Sequence, residues 1–256
     1  MILILGGTSD ALEIANAIYS VTREIIVSTA TEYGFEVSQE RFPGKSIYGR
    51  MEREDLRKFI RSQGIKYVVD ATHPYAENIS RNAVAVCREL GVQYLRFERA
   101  VSKKDDYDKI ICRDPVQAGD LIENLPGKVF ITTGINHIKK MVSKISDKKR
   151  LIIRVLPQSE TIKKLETLGF NADQIIGMKG PFSREMNYLM FRQTEAAVLV
   201  CKDSGAAGGT DDKLAAAACL GMKIILIQRP DLLYPNRFNE ISTIIDYLTA
   251  CQGTVL

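Results

Sequence analysis

One turn of this chain gathers an unusual amount of chemistry. Asp70-Ala71-Thr72-His73-Pro74-Tyr75-Ala76 follows the apolar run Tyr67-Val68-Val69 and places Asp, Thr, His and Tyr within six positions. Pro74 fixes its own φ and pushes His73 toward an extended backbone. His73 is one of two histidines in the chain. An imidazole in such a turn offers a hydrogen bond or a proton beside a bound ligand, and the Tyr75 phenol offers the same. A histidine satisfied within the fold is the alternative. The other, His137, stands next to Thr133-Gly134-Ile135-Asn136 at the start of a helix and reads as a capping or lining residue.

Gly6-Gly7-Thr8-Ser9, directly after the first apolar run, is the second such place. Glycines let backbone approach a phosphate, hydroxyls can donate to its oxygens, and a helix beginning near Ala11 adds free N–H groups at its positive end. The third glycine of GxGxxG is missing, and a tight turn with Ser9 or Asp10 as N-cap explains the same residues without a ligand. About 20 residues further on, an NAD site carries an acid for the ribose 2′-hydroxyl. Here the second strand runs into Ser28-Thr29-Ala30-Thr31, with no carboxylate before Glu32. Such a site tolerates the 2′-phosphate of NADP. Arg50, in Tyr48-Gly49-Arg50-Met51, either supplies charge for that phosphate or is a plain surface arginine.

Two stretches in the second half are equally glycine-rich. Gly177-Met178-Lys179-Gly180-Pro181-Phe182-Ser183 precedes a helix, and Lys202-Asp203-Ser204-Gly205-Ala206-Ala207-Gly208-Gly209-Thr210-Asp211-Asp212-Lys213 leads from an apolar run into an alanine-rich helix. Small and hydroxyl residues flanked by lysines suit an anion, either phosphate or carboxylate. A flexible linker is the alternative. The Walker spacing GxxxxGK[ST] is absent, so ATP hydrolysis is not supported.

These turns need strands and helices to hold them. Short apolar runs at residues 2–5, 25–27, 67–69, 94–97, 129–131, 151–156, 174–177, 197–201 and 224–227 alternate with stretches of helical periodicity. That alternation predicts parallel α/β sheets, with ligands at the carboxyl ends of the strands. The pattern pauses at Leu125-Pro126-Gly127 and restarts, which predicts two domains, 1–125 and 126–256, rather than one continuous sheet of about ten strands. Lys103 to Asp108 reads as a solvated loop. With 35 Lys+Arg against 31 Asp+Glu the formal charge is +4, too small to suggest nucleic acid, and no basic block with interleaved aromatics appears. No apolar run approaches a membrane span and the N-terminus lacks a basic n-region, so the expectation is a cytoplasmic protein with a small-molecule partner and no membrane. The five cysteines show no CxxC pair and read as buried small hydrophobes rather than metal ligands.

Taken in order, Gly6-Gly7-Thr8-Ser9, Asp70 to Ala76, Gly180-Pro181-Phe182-Ser183 and Lys202-Asp203-Ser204-Gly205 with Gly208-Gly209 and Lys213 resemble the precorrin-6A and cobalt-precorrin-6A reductase family of cobalamin biosynthesis. The resemblance covers essentially the whole chain. It implies two Rossmann-like parallel-sheet domains with the active-site cleft between them, and NADPH as hydride donor to one double bond of a corrin-precursor tetrapyrrole. No flavin and no protein-held metal is implied, since any cobalt belongs to the substrate. On this reading Gly6, Gly7, Thr8, Ser9, Ser28, Thr29, Arg50, Thr72 and His73 contact the cofactor, and His73 or Tyr75 donates the proton. Lys179, Ser183, Lys202, Ser204, Gly205, Gly208, Gly209 and Lys213 contact the substrate. An S-adenosylmethionine-dependent tetrapyrrole methyltransferase and a non-catalytic nucleotide sensor are the competing readings.

Overall fold

The four apolar residues Ile2–Leu5 form strand β1 and all are buried. The chain then turns into α1 (Ser9–Tyr19), whose Ala11, Ile14, Ala15 and Ile18 recur at helical spacing and face inward. The same unit repeats through β2 (Ile25–Thr29), α2 (Glu32–Arg41), β3 (Lys45–Tyr48), α3 (Arg53–Ser62), β4 (Tyr67–Asp70), α4 (Glu77–Leu90) and β5 (Gln93–Phe97). It continues through β6 (Lys109–Cys112), α5 (Pro115–Glu123), β7 (Lys128–Ile131), α6 (Ile135–Val142), β8 (Leu151–Val155), α7 (Ser159–Thr167) and β9 (Ile175–Gly177). The last elements are α8 (Arg184–Gln193), β10 (Ala196–Lys202), α9 (Thr210–Cys219), β11 (Lys223–Ile227), β12 (Arg237–Phe238) and α10 (Ile241–Gln252). The computed structural model describes residues 1–98, 107–205 and 208–252. Residues 103–106 of the expected solvated loop, and Ala206 and Ala207 of the glycine-rich stretch, lie outside the described residues.

The strands form two six-stranded sheets, ordered β12-β5-β4-β1-β2-β3 and β6-β11-β10-β7-β8-β9, and every pairing is parallel. The first sheet has the order 3-2-1-4-5-6 of the Rossmann fold; in the second, β7 to β11 follow 3-2-1-4-5 and the sixth position is taken by β6, which precedes β7 in the chain. The expected α/β class with two parallel sheets is therefore the observed one.

The expected cut between residues 125 and 126 is corrected in both directions. The chain divides into Met1–Ala100 with Pro230–Leu256, and Val101–Arg229. β6 and α5, expected in the first half, belong to the second sheet, where Lys109 is in register with Ile224. β12, expected in the second half, extends the first sheet with Arg237 opposite Arg96. The first sheet thus takes its sixth strand from beyond the second unit, whereas the second sheet takes its own from the segment just before β7. The pause at Pro126 is only the connection from α5 to β7.

In the first unit the strands alternate sides. Ile2, Ile4, Ile25, Val27, Val69, Leu95 and Phe97 pack with α1 and with Ile244 and Leu248 of α10. Leu3, Leu5, Ile26, Val68 and Tyr94 pack with Leu56, Ile60, Ala83 and Val86 of α3 and α4. Helices on both faces explain why these strands read as continuous apolar runs. In the second unit Phe130, Leu199, Cys201, Ile224 and Leu226 meet Phe191 of α8 and Leu214, Ala216 and Ala217 of α9. Cys87, Cys112 and Cys201 are buried thiols as expected, whereas Cys219 is exposed at the last turn of α9. Among the described residues no helix is long and apolar enough to cross a membrane.

Because α10 completes one face of the first core, a fragment ending at residue 125 lacks two buried side chains of that core and the partner of β5. Such a fragment is expected to give no cooperative urea transition by near-ultraviolet circular dichroism, while the full chain gives one. A cooperative transition in the fragment would refute the dependence on α10 and β12.

Candidate active site

Strand order in the first sheet reverses between β1 and β4, so the turns leaving these strands flank a ligand crevice. The two turns are joined directly. Thr8 Oγ1 donates to the Ala71 carbonyl at 2.8 Å and accepts from Ala11 N–H at 3.1 Å. Thr8, and neither Ser9 nor Asp10, is therefore the N-cap of α1, because its extended backbone aims the hydroxyl at the first free N–H groups. Its proton is spent on Ala71 and is not available to a phosphate. Gly6 N–H donates to the Ser28 carbonyl at 2.8 Å. Gly7 has φ +105°, and a Cβ there would meet nothing within 4 Å. The backbone at Gly7 opens onto free space beside the first turn of α1, with Ser9 exposed next to it. Ser28 and Thr29 lie buried in β2 rather than in the turn after it, and Thr29 Oγ1 donates to the Ile47 carbonyl at 3.4 Å. Arg50, past the end of β3, is exposed and has no hydrogen bond or ion pair among the described residues.

The turn after β4 hangs from a buried ion pair. Asp70 and Arg96 are both fully buried, and Arg96 Nη1 donates to Asp70 Oδ1 at 2.7 Å. Asp70 also accepts from Tyr94 O–H at 2.7 Å, from Thr72 O–H at 2.6 Å and from Thr72 N–H at 3.0 Å. Thr72 Oγ1 in turn accepts from Arg96 Nη1 at 3.1 Å. The Thr72 hydroxyl, expected at the cofactor, is consumed here and acts by placing the turn. His73 and Tyr75 are half-buried, with ring centroids 5.4 Å apart. Tyr75 N–H donates to His73 Nδ1 at 3.3 Å. That bond selects the neutral tautomer with its proton on Nε2.

The second sheet reverses order between β7 and β10. Thr132 there binds across the switch point, its N–H donating to the Val200 carbonyl at 2.9 Å. Three cations collect at these carboxyl ends. Arg154 of β8 and Lys213 of α9 are each 7% exposed, and Lys202, the last residue of β10, is half-buried. Burial, then the nearby Lys213 charge, depresses Lys202 to about 8. Burial holds Arg154 down at about 10. Asp203 is engaged by Arg229 at 3.5 Å and accepts from Gly205 N–H at 3.2 Å. The backbone expected to grip a ligand is largely turned inward: Ser204 N–H donates to Thr210 Oγ1, and Gly208 N–H to the Gly205 carbonyl. Ser183 is exposed and caps α8 through Met186 N–H. Lys179 and Gly208 are exposed, and Gly209 is buried with φ +64°. The 180–183 turn lies against the glycine loop, since a Cβ on Gly209 would come within 3.8 Å of the Phe182 carbonyl.

The structure thus joins Gly6 to Ser9 with the His73 turn in one unit, and Ser183, Lys202, Gly209 and Lys213 around one strand end in the other. Sequence reasoning missed Arg96 and Arg154. The available signal was an arginine inside an apolar strand, in Tyr94-Leu95-Arg96-Phe97 and Ile152-Ile153-Arg154-Val155, where a charge persists only with a partner or a task.

Two parallel sheets built around a Rossmann-like strand order, each with polar turns at its switch point, define a Rossmann-like α/β protein. The family model for Precorrin-6x reductase CbiJ/CobK matches residues 1–249, and the chain belongs to that family of oxidoreductases. It is 36% identical to the cobalt-precorrin-6A reductase of Methanocaldococcus jannaschii over 96% of this chain and 97% of that protein. It is 33% identical to the cobalt-precorrin-6A reductase of Priestia megaterium over 97% and 98%. The solved structure of CobK precorrin-6A reductase superposes with a TM-score of 0.78 at 24% identity, covering 97% of this chain and 96% of that one.

His137, at the first turn of α6, is depressed to about 4 by burial and by the Lys202 and Lys140 charges. Its unfolded value is near 6.5, so between these limits the unfolded chain binds the extra proton and stability falls as pH falls from 6.5 toward 4. With the ring partly exposed, the loss is on the order of 1–2 kcal/mol. Urea titrations across this window are expected to show a shallower pH slope for His137→Asn than for wild type; equal slopes would refute the assignment.

Proposed function

We propose that the chain reduces precorrin-6A or cobalt-precorrin-6A to its dihydro form by direct hydride transfer from NADPH. The observation that carries this reading is the free space at Gly7, where positive φ and an empty Cβ position let a pyrophosphate approach the backbone at the N-terminus of α1. The residues present fit NADPH. No carboxylate ends β2, and the exposed Arg50 past β3 supplies a charge that a 2′-phosphate needs and a 2′-hydroxyl does not. Ser9 and the backbone of Gly7 hold the phosphates, while Gly6, bonded to the Ser28 carbonyl, fixes the turn. Thr8, Thr72 and the Ser28 and Thr29 segment keep those turns in place.

When bound, the nicotinamide supplies a hydride to one carbon of the conjugated macrocycle. The adjacent position then takes a proton, which balances the reduction of the double bond. The Tyr75 hydroxyl, or the His73 ring once it is protonated to imidazolium and parted from the Tyr75 N–H, is the protein donor for that proton. Holding the reacting carbons together supplies several of the roughly 7–11 kcal/mol that orientation can contribute. The carboxylates of the macrocycle are held by the side chains of Lys179, Ser183, Lys202, Ser204 and Lys213, while Gly205, Gly208 and Gly209 shape the loop that carries them. The names carried by the M. jannaschii and P. megaterium relatives favour the cobalt-bearing macrocycle.

Anaerobic incubation with NADPH and each macrocycle, followed by nicotinamide absorbance, tests the reading. The cobalt form is expected to consume NADPH in equal amount, with S-adenosylmethionine neither required nor consumed. No oxidation with either macrocycle would overturn it. Replacing His73 with Ala is expected to lower turnover at saturating substrate by about 100-fold; unchanged turnover removes His73 as donor.

A further inference from the structure

We infer that Arg154, Lys202, Lys213 and the Thr133 hydroxyl form one buried oxyanion site in the second unit, and that it holds a single carboxylate arm of the macrocyclic substrate. The inference rests on the reductase reading and adds Arg154 and Thr133 to the anchors named above.

Two groups in this place have no hydrogen-bond partner among the described residues. Thr133 is 1% exposed, and its Oγ1 has no hydrogen-bond partner among the described residues. Lys213 is 7% exposed, and its ammonium has no hydrogen bond or ion pair among them. A buried hydroxyl and a buried ammonium are normally satisfied, because the desolvation cost otherwise goes uncompensated. Among the described residues Arg154 has neutral partners only: Nη1 donates to Asn187 Oδ1 at 2.9 Å and to Met190 Sδ at 3.3 Å. Asn187 is locked in that orientation, its Nδ2 donating to the Phe182 and Ser183 carbonyls at 3.1 and 2.8 Å.

The charges here do not balance. Arg154 and Lys213 repel each other, and Lys213 repels Lys202. Asp203 attracts Lys213, yet it already serves Arg229 and the Gly205 N–H. Burial and mutual repulsion push Lys213 down from its ordinary value. An anion entering among these groups would satisfy the orphan hydroxyl and offset the repulsion together.

The chemistry of the lining selects a carboxylate on a flat conjugated body over a phosphate. Phosphate sites rely on free backbone N–H groups, and those of Ser204, Gly205, Gly208 and Thr210 are bonded within the loop. Cationic side chains backed by aromatic faces take their place. The Arg154 guanidinium lies 4.0 Å from the centroid of Phe182 and 5.6 Å from that of Phe130.

Lys213→Met tests the site with three readouts on the full-length enzyme: melting temperature without ligand, Kd for NADPH by fluorescence, and KM for cobalt-precorrin-6A. Removing an unpaired buried charge is expected to raise the ligand-free melting temperature, while KM rises about tenfold or more and the NADPH Kd stays within twofold. Thr133→Val, which keeps the shape and removes the hydroxyl, is expected to raise KM several-fold and serves if the lysine variant does not fold. A weakened NADPH Kd with unchanged KM would make the occupant a cofactor phosphate and overturn the inference, leaving the reductase reading intact. Should wild type fail to reduce the macrocycle, the reductase reading falls. The site then stands only if the macrocycle raises the melting temperature of wild type and not of Lys213→Met, and falls otherwise.

Discussion

The contact between Asp70 and Arg96, two charges taken wholly out of water at the carboxyl end of the first sheet, is the one from which the first unit's ligand-facing turns are hung. A buried ion pair gains little over an apolar pair unless its remaining donors and acceptors are met. Here Tyr94 and Thr72 fill Asp70, and Arg96 Nη2 reaches Glu98 at 3.1 Å. The return is geometric. Thr72 can adopt one position only, and with it the His73-Pro74-Tyr75 turn. The same pair reaches the last strand, since Arg96 and Arg237 are in register and Glu98 also faces Arg237 Nε at 3.6 Å.

The second unit has a similar topology and the opposite electrostatics. An arginine again interrupts an apolar strand and lysines lie near the switch point, but among the described residues no acid is hydrogen-bonded or ion-paired to Arg154 or Lys213. Arg154 meets an amide, and Lys213 meets neither an acid nor a hydrogen-bond acceptor among the described residues. The first unit's pair serves internal order; on the inference above, the second unit's cations serve a ligand. Burial is the leading cause of the lowered proton affinities of Lys202 and Arg154, and for Lys202 the neighbouring Lys213 charge adds to it.

Local pattern made much of this legible. Four apolar residues before a glycine pair give β1, and the spacing of Ala11, Ile14, Ala15 and Ile18 gives α1, because strand and helix periodicity are properties of neighbours in sequence. The strand-end turns were legible for the same reason. The domain boundary was not, because the sixth strand of each sheet pairs across a long separation and carries no local sign of its partner. Nor could the sequence say which hydroxyls were free. Thr8 and Thr72 look like Ser9 in composition, yet a carbonyl 63 residues away takes the proton of Thr8, and Asp70 that of Thr72.

Parallel strands send every carboxyl end to one side of a sheet, so what distinguishes the two switch points is the chemistry of a few side chains. At the first, Thr8 closes the gap to Ala71, and what remains open is backbone at Gly7 with a lone arginine past β3. That suits a diphosphate, whose charge is spread over several oxygens and met by dipoles. At the second, Thr132 closes the gap to Val200, and what remains are full charges held in low dielectric against aromatic faces. That suits a carboxylate, a compact charge on an apolar body, because a strongly desolvated cation gains most from an anion that brings its own opposite charge into the same dry place. The two ligands of a reductase differ in this respect, and on the proposed reading the cofactor takes the first switch point and a carboxylate of the macrocycle the second.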